Sequence, residues 1–160
     1  MSGERSGRPE ARVEGLAFVD SNVLVYAHDR SAGAKREAAR DLIEGLWEEH
    51  SGRLSVQVLQ EFFVNVTRKL ANPMGAREAR EIIADFSHWG LHRPGAPDVL
   101  AAIDVHRRTG ISFWDAMIVR SASSQGCGVL FSEDLNDGQA YEGVRVKNPF
   151  GQAAEGARDR

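Results

Sequence analysis

The chain has 160 residues but only one cysteine, Cys127, so it cannot form an internal disulfide framework. A protein without disulfides fits a reducing compartment. No apolar run approaches the roughly 20 residues that a membrane-spanning helix needs. The segment from Met1 to Gly15 is polar and lacks the apolar stretch of a secretory signal. We therefore expect a cytoplasmic protein with no membrane partner.

An excess of positive charge is also missing. Lysine and arginine number 20, aspartate and glutamate number 23, and the net charge is −3. Proteins that coat nucleic acid neutralise many phosphates with basic side chains, so this balance argues against a simple DNA-binding protein. A nuclease is still allowed, because a bound cation would offset acidic residues locally and a short basic stripe can hold phosphates.

Several catalytic signatures are absent. The five histidines are scattered along the chain and Cys127 has no partner cysteine, which argues against a zinc site. The sequence contains no Walker-type phosphate loop and no Gly-x-Ser-x-Gly motif. These absences leave nucleotide hydrolases of the Walker type and serine hydrolases without support.

Short apolar runs alternate with longer amphipathic segments between residues 15 and 150. The runs that predict strands are Leu16–Val19, Leu54–Val56, Leu91–Arg93, Val129–Phe131 and Val144–Val146. The segments that predict helices are Ala34–His50, Gln57–Leu70, Ala76–Trp89, Asp98–Arg108 and Phe113–Gln125. This alternation predicts one α/β domain over residues 15–150, with a central parallel sheet flanked by helices. The polar ends, residues 1–14 and 151–160, are predicted to be flexible tails.

Four acidic residues stand beside residues that should be buried. They are Asp20, Glu61, Asp115 and Asp134. Carboxylates in such surroundings are costly unless something compensates them. A hard divalent cation compensates several acids at once, and an all-oxygen site favours Mg²⁺ or Mn²⁺ over zinc. The four acids therefore predict metal-dependent chemistry on phosphate.

The predicted fold brings some of these acids together. Asp20 and Asp134 follow the last apolar residues of two predicted strands, and ligands of parallel sheets bind at the carboxyl ends of strands. Asp115 lies among apolar helix neighbours, although its position three residues after Ser112 also fits a helix cap alone. Glu61, taken by itself, fits a solvated helix acid equally well.

Four segments in order along the chain carry a family resemblance. They are residues 18–27 (FVDSNVLVYA), 55–62 (SVQVLQEF), 112–119 (SFWDAMIV) and 130–135 (LFSEDL). Together they resemble the PIN-domain nucleases, and among these the VapC-type toxins of bacterial toxin–antitoxin pairs. The segments span nearly the whole predicted domain, which makes their combination more specific than any one of them.

The resemblance implies a single PIN-like domain with an acidic pocket for Mg²⁺ or Mn²⁺ as the cofactor. Asp20, Glu61, Asp115 and Asp134 fall on the acidic positions of the family, as metal ligands and catalytic residues. Three further positions are expected to support them. Ser21 and Ser132 stand where the family often has threonine, and Asn22 matches the polar residue beside the first acid.

The predicted activity is cleavage of RNA by a metal-activated water, which leaves 5′-phosphate and 3′-hydroxyl ends. The resemblance further implies an antitoxin protein that docks beside the site, and a homodimer. Two alternatives remain open. One is a PIN-like module that binds RNA or a partner without cleaving, and the other is a phospho-receiver signalling domain.

Further residues have two interpretations each. Asp137 is either an additional ligand or a turn residue between Asn136 and Gly138. Arg68 and Lys69 either hold the RNA backbone or form a solvated helix end. The three tryptophans, Trp47, Trp89 and Trp114, are interpreted as core residues and not as platforms for base stacking.

Overall fold

The computed structural model describes residues 15–151, and the two predicted tails lie outside this range except for Gly151. The strands are β1 (Ala17–Val19), β2 (Gly52–Ser55), β3 (Gly90–His92), β4 (Val129–Phe131), β5 (Ala140–Tyr141) and β6 (Val144–Lys147). The helices are α1 (Ser21–Ala27), α2 (Ala34–Glu49), α3 (Val56–Arg68), α4 (Ala76–Phe86), α5 (Ala96–Thr109) and α6 (Phe113–Ser124). None of these helices combines the length and the apolar character that crossing a membrane requires.

The strands form one sheet in the order β3-β2-β1-β4-β6-β5. All neighbouring pairs are parallel except β5, which runs antiparallel to β6. The predicted α/β fold with a central parallel sheet is therefore confirmed. The three residues of β1 are fully buried, as expected for a central strand covered on both faces.

The strand order places β1 between β2 and β4. Strands β2 and β3 are added on one side of β1 and the later strands on its other side, so the order of the sheet switches at β1. Ligands of open α/β sheets bind at such a switch point, beyond the carboxyl ends of the strands. Val19 pairs with Phe131 at these ends, and the Asp20 amide donates to the Phe131 carbonyl at 2.9 Å. The residues that follow β1 and β4 therefore begin side by side.

Helix α1 and strand β5 were not predicted from the sequence. The apolar run after Asp20 forms a helix because Asp20 caps it through the Ser21 amide at 2.7 Å, and because Val23 and Leu24 are fully buried. Strand β5 depends on a tight turn in which Glu142 and Gly143 both have positive φ, at 52° and 81°. Neither feature produces a clear periodic pattern in so few residues.

Two further predictions need correction. Helix α4 ends at Phe86 and not at Trp89, since the Trp89 amide bonds to the Phe86 carbonyl in a turn before β3. Trp89 is buried as predicted, and Trp47 packs against it at the edge of the core with 39% of its surface exposed. Trp114 is not a core residue, because 62% of its surface is exposed.

Candidate active site

One open cleft of about 440 Å³ lies at the carboxyl ends of the strands and is lined by all four predicted acids. Its lining residues are Asp20, Ser21, Gln60, Glu61, Val64, Asn65, Lys69, Asp115, Ile118 and Asp134. Asp20 follows β1, and Asp134 lies in the loop after β4. Glu61 is carried by α3 and Asp115 by the first turn of α6. The fold thus gathers acids that are up to 114 positions apart in the chain, from 20 to 134.

Asp20 is the most buried of these acids, with 3% of its surface exposed. Its carboxylate accepts hydrogen bonds from the Ser21 amide at 2.7 Å and from the Ser132 hydroxyl at 2.8 Å. Burial raises the pKa of the Asp20 carboxyl to about 7, although both hydrogen bonds act in the opposite direction. The neighbouring carboxylates of Asp134 and Glu61 increase this pKa further. A charged Asp20 is therefore costly without a cation.

Asn22 and Ser132 connect Asp20 to Asp134. The Asn22 side-chain nitrogen donates to Asp134 at 3.1 Å and lies 3.4 Å from the second Asp20 oxygen. Its carbonyl oxygen accepts from the Glu133 amide at 3.3 Å. The Ser132 hydroxyl accepts from the Asp134 amide at 3.1 Å. Both predicted supporting residues therefore hold the loop after β4 against the start of α1.

Glu61 is held by two donors. Its carboxylate accepts from the Ser21 hydroxyl at 2.9 Å and from the Gln57 side-chain amide at 3.0 Å. The same Gln57 nitrogen donates to the Trp114 carbonyl at 3.2 Å, which joins α3 to the start of α6. Gln57 was missed in the sequence, and the only signal was its position one helical turn before Glu61. These contacts hold the Glu61 carboxylate at the cleft, so Glu61 is not a freely solvated helix acid.

Asp115 is half-buried beside the apolar side chains of Ala116 and Ile118. Burial raises the pKa of its carboxyl, and the charges of Asp134 and Glu61 raise it further. The helix start is capped by the Ser112 hydroxyl, which accepts from the Asp115 backbone amide at 3.1 Å. A hydrogen bond with the Ser112 side chain lowers the pKa of the Asp115 carboxyl, so Asp115 both belongs to the capped start of α6 and lines the cleft.

The loop that carries Asp134 is anchored by the residue before it. Glu133 accepts a hydrogen bond from the Tyr26 hydroxyl at 2.8 Å and pairs with Lys35. The Lys35 ammonium also lies 4.8 Å from the centre of the Tyr26 ring. This anchor was not recognised in the sequence, because its three members are far apart in the chain and individually ordinary.

Of the residues with two interpretations, the structure places Lys69 at the cleft and Arg68 and Asp137 outside its lining. Lys69 lines the cleft, whereas Arg68 is exposed and is not among the lining residues. Asp137 is not a lining residue either, and its carboxylate accepts from the Asn148 amide at 2.8 Å. Asp137 therefore lies outside the cleft and connects its loop to the residue after β6.

The side chains that line the cleft suit a hard divalent cation, because such cations prefer oxygen ligands. Four carboxylates line the cleft, and no histidine or cysteine does. In the positions that residues 15–151 occupy, however, no three His, Cys, Asp or Glu side chains stand close enough to enclose an ion. Hydrogen bonds from Ser21, Asn22 and Gln57 hold the carboxylates instead. The residues fit a cation by type, but they do not form a ready-made chelate.

The raised pKa of Asp20 predicts a pH-dependent stability of the metal-free protein. The folded state holds this proton more tightly than the unfolded chain, so the stabilising contribution is complete below about pH 4 and is lost as the pH rises through about 7. Asp20→Asn should therefore gain stability relative to the wild type between about pH 5 and 8. The expected gain between pH 5 and 8 is roughly 2–3 kcal/mol. Each pH unit contributes about 1.4 kcal/mol while the pH lies between the two pKa values, and about two such units lie between pH 5 and the folded-state pKa of about 7.

Urea denaturation in EDTA across this pH range would measure the difference. Asp104→Asn, which changes an exposed carboxylate on α5, is the matched control and should follow the wild-type pH curve. A difference between Asp20→Asn and the wild type that does not change with pH would contradict the assigned cost of burying this carboxylate.

Comparison with known proteins agrees with this geometry. The PIN domain family matches residues 17–139, which include all four acids of the cleft. No protein of curated function matches the chain in sequence.

Solved structures share the fold at low sequence identity. A toxin–antitoxin complex from Klebsiella pneumoniae has a chain that is 16% identical, with a TM-score of 0.63 over 83% of this chain and 97% of that one. VapC20 from Mycobacterium tuberculosis, described as a toxin that cleaves the sarcin-ricin loop, is 20% identical, with a TM-score of 0.59 over 74% and 89%. DNA-bound VapBC from Salmonella typhimurium is 18% identical, with a TM-score of 0.59 over 84% and 98%.

The family match covers most of the chain, and the structural likeness extends over nearly the full length of each compared chain. This agreement confirms the resemblance that the four sequence segments indicated, and it removes the phospho-receiver alternative. The chain belongs to the PIN domain family.

Proposed function

We propose that this chain is an endoribonuclease that cleaves RNA phosphodiester bonds with Mg²⁺ or Mn²⁺, and that it is the toxin of a toxin–antitoxin pair. The observation that carries the proposal is the convergence of Asp20, Glu61, Asp115 and Asp134 on one open cleft. PIN nucleases generally use divalent metal ions. An open cleft also suits a polymer, because a strand of nucleic acid can cross it without entering a closed cavity.

Asp20, Asp115 and Asp134 would hold the cation, with Glu61 as a further ligand or as the group that orients the attacking water. When bound, the cation would offset the negative charge of the phosphate and lower the pKa of a water molecule. It would also compensate Asp20, whose burial makes its charged form costly.

The remaining residues of the cleft have positioning roles in this proposal. Ser21 and Gln57 fix the Glu61 carboxylate in the cleft, where it would orient a water molecule or hold the cation. Asn22 and Ser132 hold Asp20 and Asp134 together through hydrogen bonds to both residues. Their hydrogen bonds lower the cost of bringing like charges into one place.

The decisive experiment is cleavage of labelled structured and unstructured RNAs with Mg²⁺ or Mn²⁺ and with EDTA. We expect cutting that needs the metal and leaves 5′-phosphate ends. Asp20→Asn should reduce the rate at least about 100-fold, the usual loss when electrostatic stabilisation of the transition state is removed.

Asp137→Asn is the matched control, since it changes a nearby loop acid that does not line the cleft, and it should cleave within about twofold of the wild type. Equal loss in both variants, or cleavage that persists in EDTA, would contradict the proposed site. RNA binding without any cleavage would favour the non-cleaving alternative.

Lys69 and Arg68 offer a second test, because they are adjacent in sequence but only Lys69 lines the cleft. We expect Lys69→Ala to weaken RNA binding severalfold and to reduce the slope of log affinity against log salt by about one phosphate contact. Arg68→Ala should change this slope much less. Binding titrations over a range of salt concentrations would measure both, and a slope that Lys69→Ala leaves at the wild-type value would exclude a phosphate contact by Lys69.

The proposal includes an antitoxin partner and a homodimer in the cytoplasm. Toxin–antitoxin complexes among the similar structures support the partner. We expect a small antitoxin protein to bind this chain beside the cleft and to inhibit RNA cleavage. Sedimentation of the chain alone and with this protein would give the assemblies, and cleavage that continues in the complex would count against the toxin assignment.

A further inference from the structure

Trp114 is an exposed aromatic residue directly before Asp115 in the first turn of α6. It exposes 62% of its surface, although large aromatic side chains are usually well buried. An exposed indole of this size loses hydrophobic stabilisation that burial would provide. Its position beside the acidic cleft suggests that the exposed ring has a binding role.

Two contacts define where Trp114 lies relative to the cleft. Its carbonyl accepts from the Gln57 side-chain nitrogen, and the same nitrogen donates to Glu61, which lines the cleft. Ile118, which also lines the cleft, stands four residues further along α6 and therefore on the same helix face as Trp114. Trp114 is not itself a lining residue, but it stands next to Asp115 and one helical turn before Ile118, which both line the cleft.

The indole has support on one side. The Trp114 ring makes an edge-to-face contact with Phe113, with the ring centroids 5.1 Å apart. Phe113 in turn packs against the small core between α5 and α6, formed around Val105 and Met117. A ring that is held by a packed neighbour loses little conformational freedom when a second ring stacks on it.

The opposite wall of the cleft adds another apolar side chain. Val64 on α3 lines the cleft and exposes 42% of its surface. The acidic centre is therefore bordered by exposed apolar groups as well as by the Lys69 ammonium. This combination suits a nucleotide, whose phosphate is charged and whose base is flat and weakly polar on its faces.

We propose that Trp114 stacks on an unpaired base next to the phosphate in the acidic cleft, and that it thereby directs the nuclease to single-stranded RNA or to loops. This inference deepens the proposed function and rests on it. Bases in a duplex are already stacked on each other, so an indole at the rim can take up only a base that is free to turn outwards.

RNA binding by the inactive Asp20→Asn protein would test this role, with short fluorescent single-stranded and double-stranded RNAs as probes. Trp114→Ala in this background should weaken binding of the single strand by roughly tenfold, as expected for the loss of one stacked base, and leave duplex binding unchanged. Trp114→Phe should restore most of the affinity. Leu100→Ala is the matched control, because Leu100 is equally exposed, at 63%, on α5.

An abasic nucleotide, moved along the single strand, provides a readout that a structural role would not affect. At one position, removal of the base and Trp114→Ala should not be additive, because both delete the same stacking contact. Additive effects at every position, or unchanged single-strand binding by Trp114→Ala, would overturn the inference. A change in self-association without a change in RNA binding would instead assign Trp114 to a protein interface.

The two proposals can fail separately in these experiments. If the otherwise wild-type chain cleaves RNA while Trp114→Ala binds and cleaves like it, only the stacking role is wrong. If the chain neither binds nor cleaves any RNA with Mg²⁺ or Mn²⁺, the proposed nuclease function and the stacking role both fail.

Discussion

The buried carboxylate of Asp20 is the constraint on which the rest of the site depends. Its backbone amide joins the ends of β1 and β4, and its side chain caps α1 while accepting from the Ser132 hydroxyl. One residue therefore connects a central strand, a helix and the loop that carries Asp134. Burial raises the pKa of this carboxyl to about 7, which means that the fold tolerates an acid in surroundings that oppose its charge. A position that is costly for stability and rich in contacts is typical of a functional site.

The hydrogen bonds around Asp20 explain how several like charges share one cleft in the metal-free protein. Ser21 and Asn22 each donate to two of the acids, and Gln57 donates to Glu61, so Asp20, Glu61 and Asp134 all have hydrogen-bond partners. The residues that line the cleft include more acids than cations. Among the described residues, no three acids are close enough to enclose an ion. The side chains of the site are organised by hydrogen bonds, and a cation bound there would compete with these donors for the carboxylate oxygens.

The acidic cleft is bordered by one basic side chain and by exposed apolar side chains. Lys69 provides a cation at the wall formed by α3, and Val64 on the same helix provides exposed apolar surface. Trp114 precedes Asp115 on α6, and Gln57 connects the Trp114 carbonyl to Glu61. A phosphate and its base have matching requirements, because one is charged and the other presents a flat apolar face. The charged and apolar side chains at the cleft therefore match the two parts of a nucleotide, which is the ligand class that we propose.

The sequence by itself determined the α/β order and the position of two acids. Apolar runs identify buried strands, and in a parallel sheet the residues after such strands meet at one edge, so Asp20 and Asp134 could be placed together. Other outcomes depended on tertiary structure. These are the convergence of Glu61 and Asp115 on the cleft, the presence of Lys69 but not Arg68 in its lining, the Glu133 anchor, the exposure of Trp114 and the contact of Asp137 with Asn148. A local sequence pattern shows how apolar a segment is and how its apolar residues are spaced. It does not show which faces of two helices contact each other. Contacts between residues far apart in the chain are decided only when the helices pack on the sheet, because that packing sets which side of each helix is covered and which side faces the cleft.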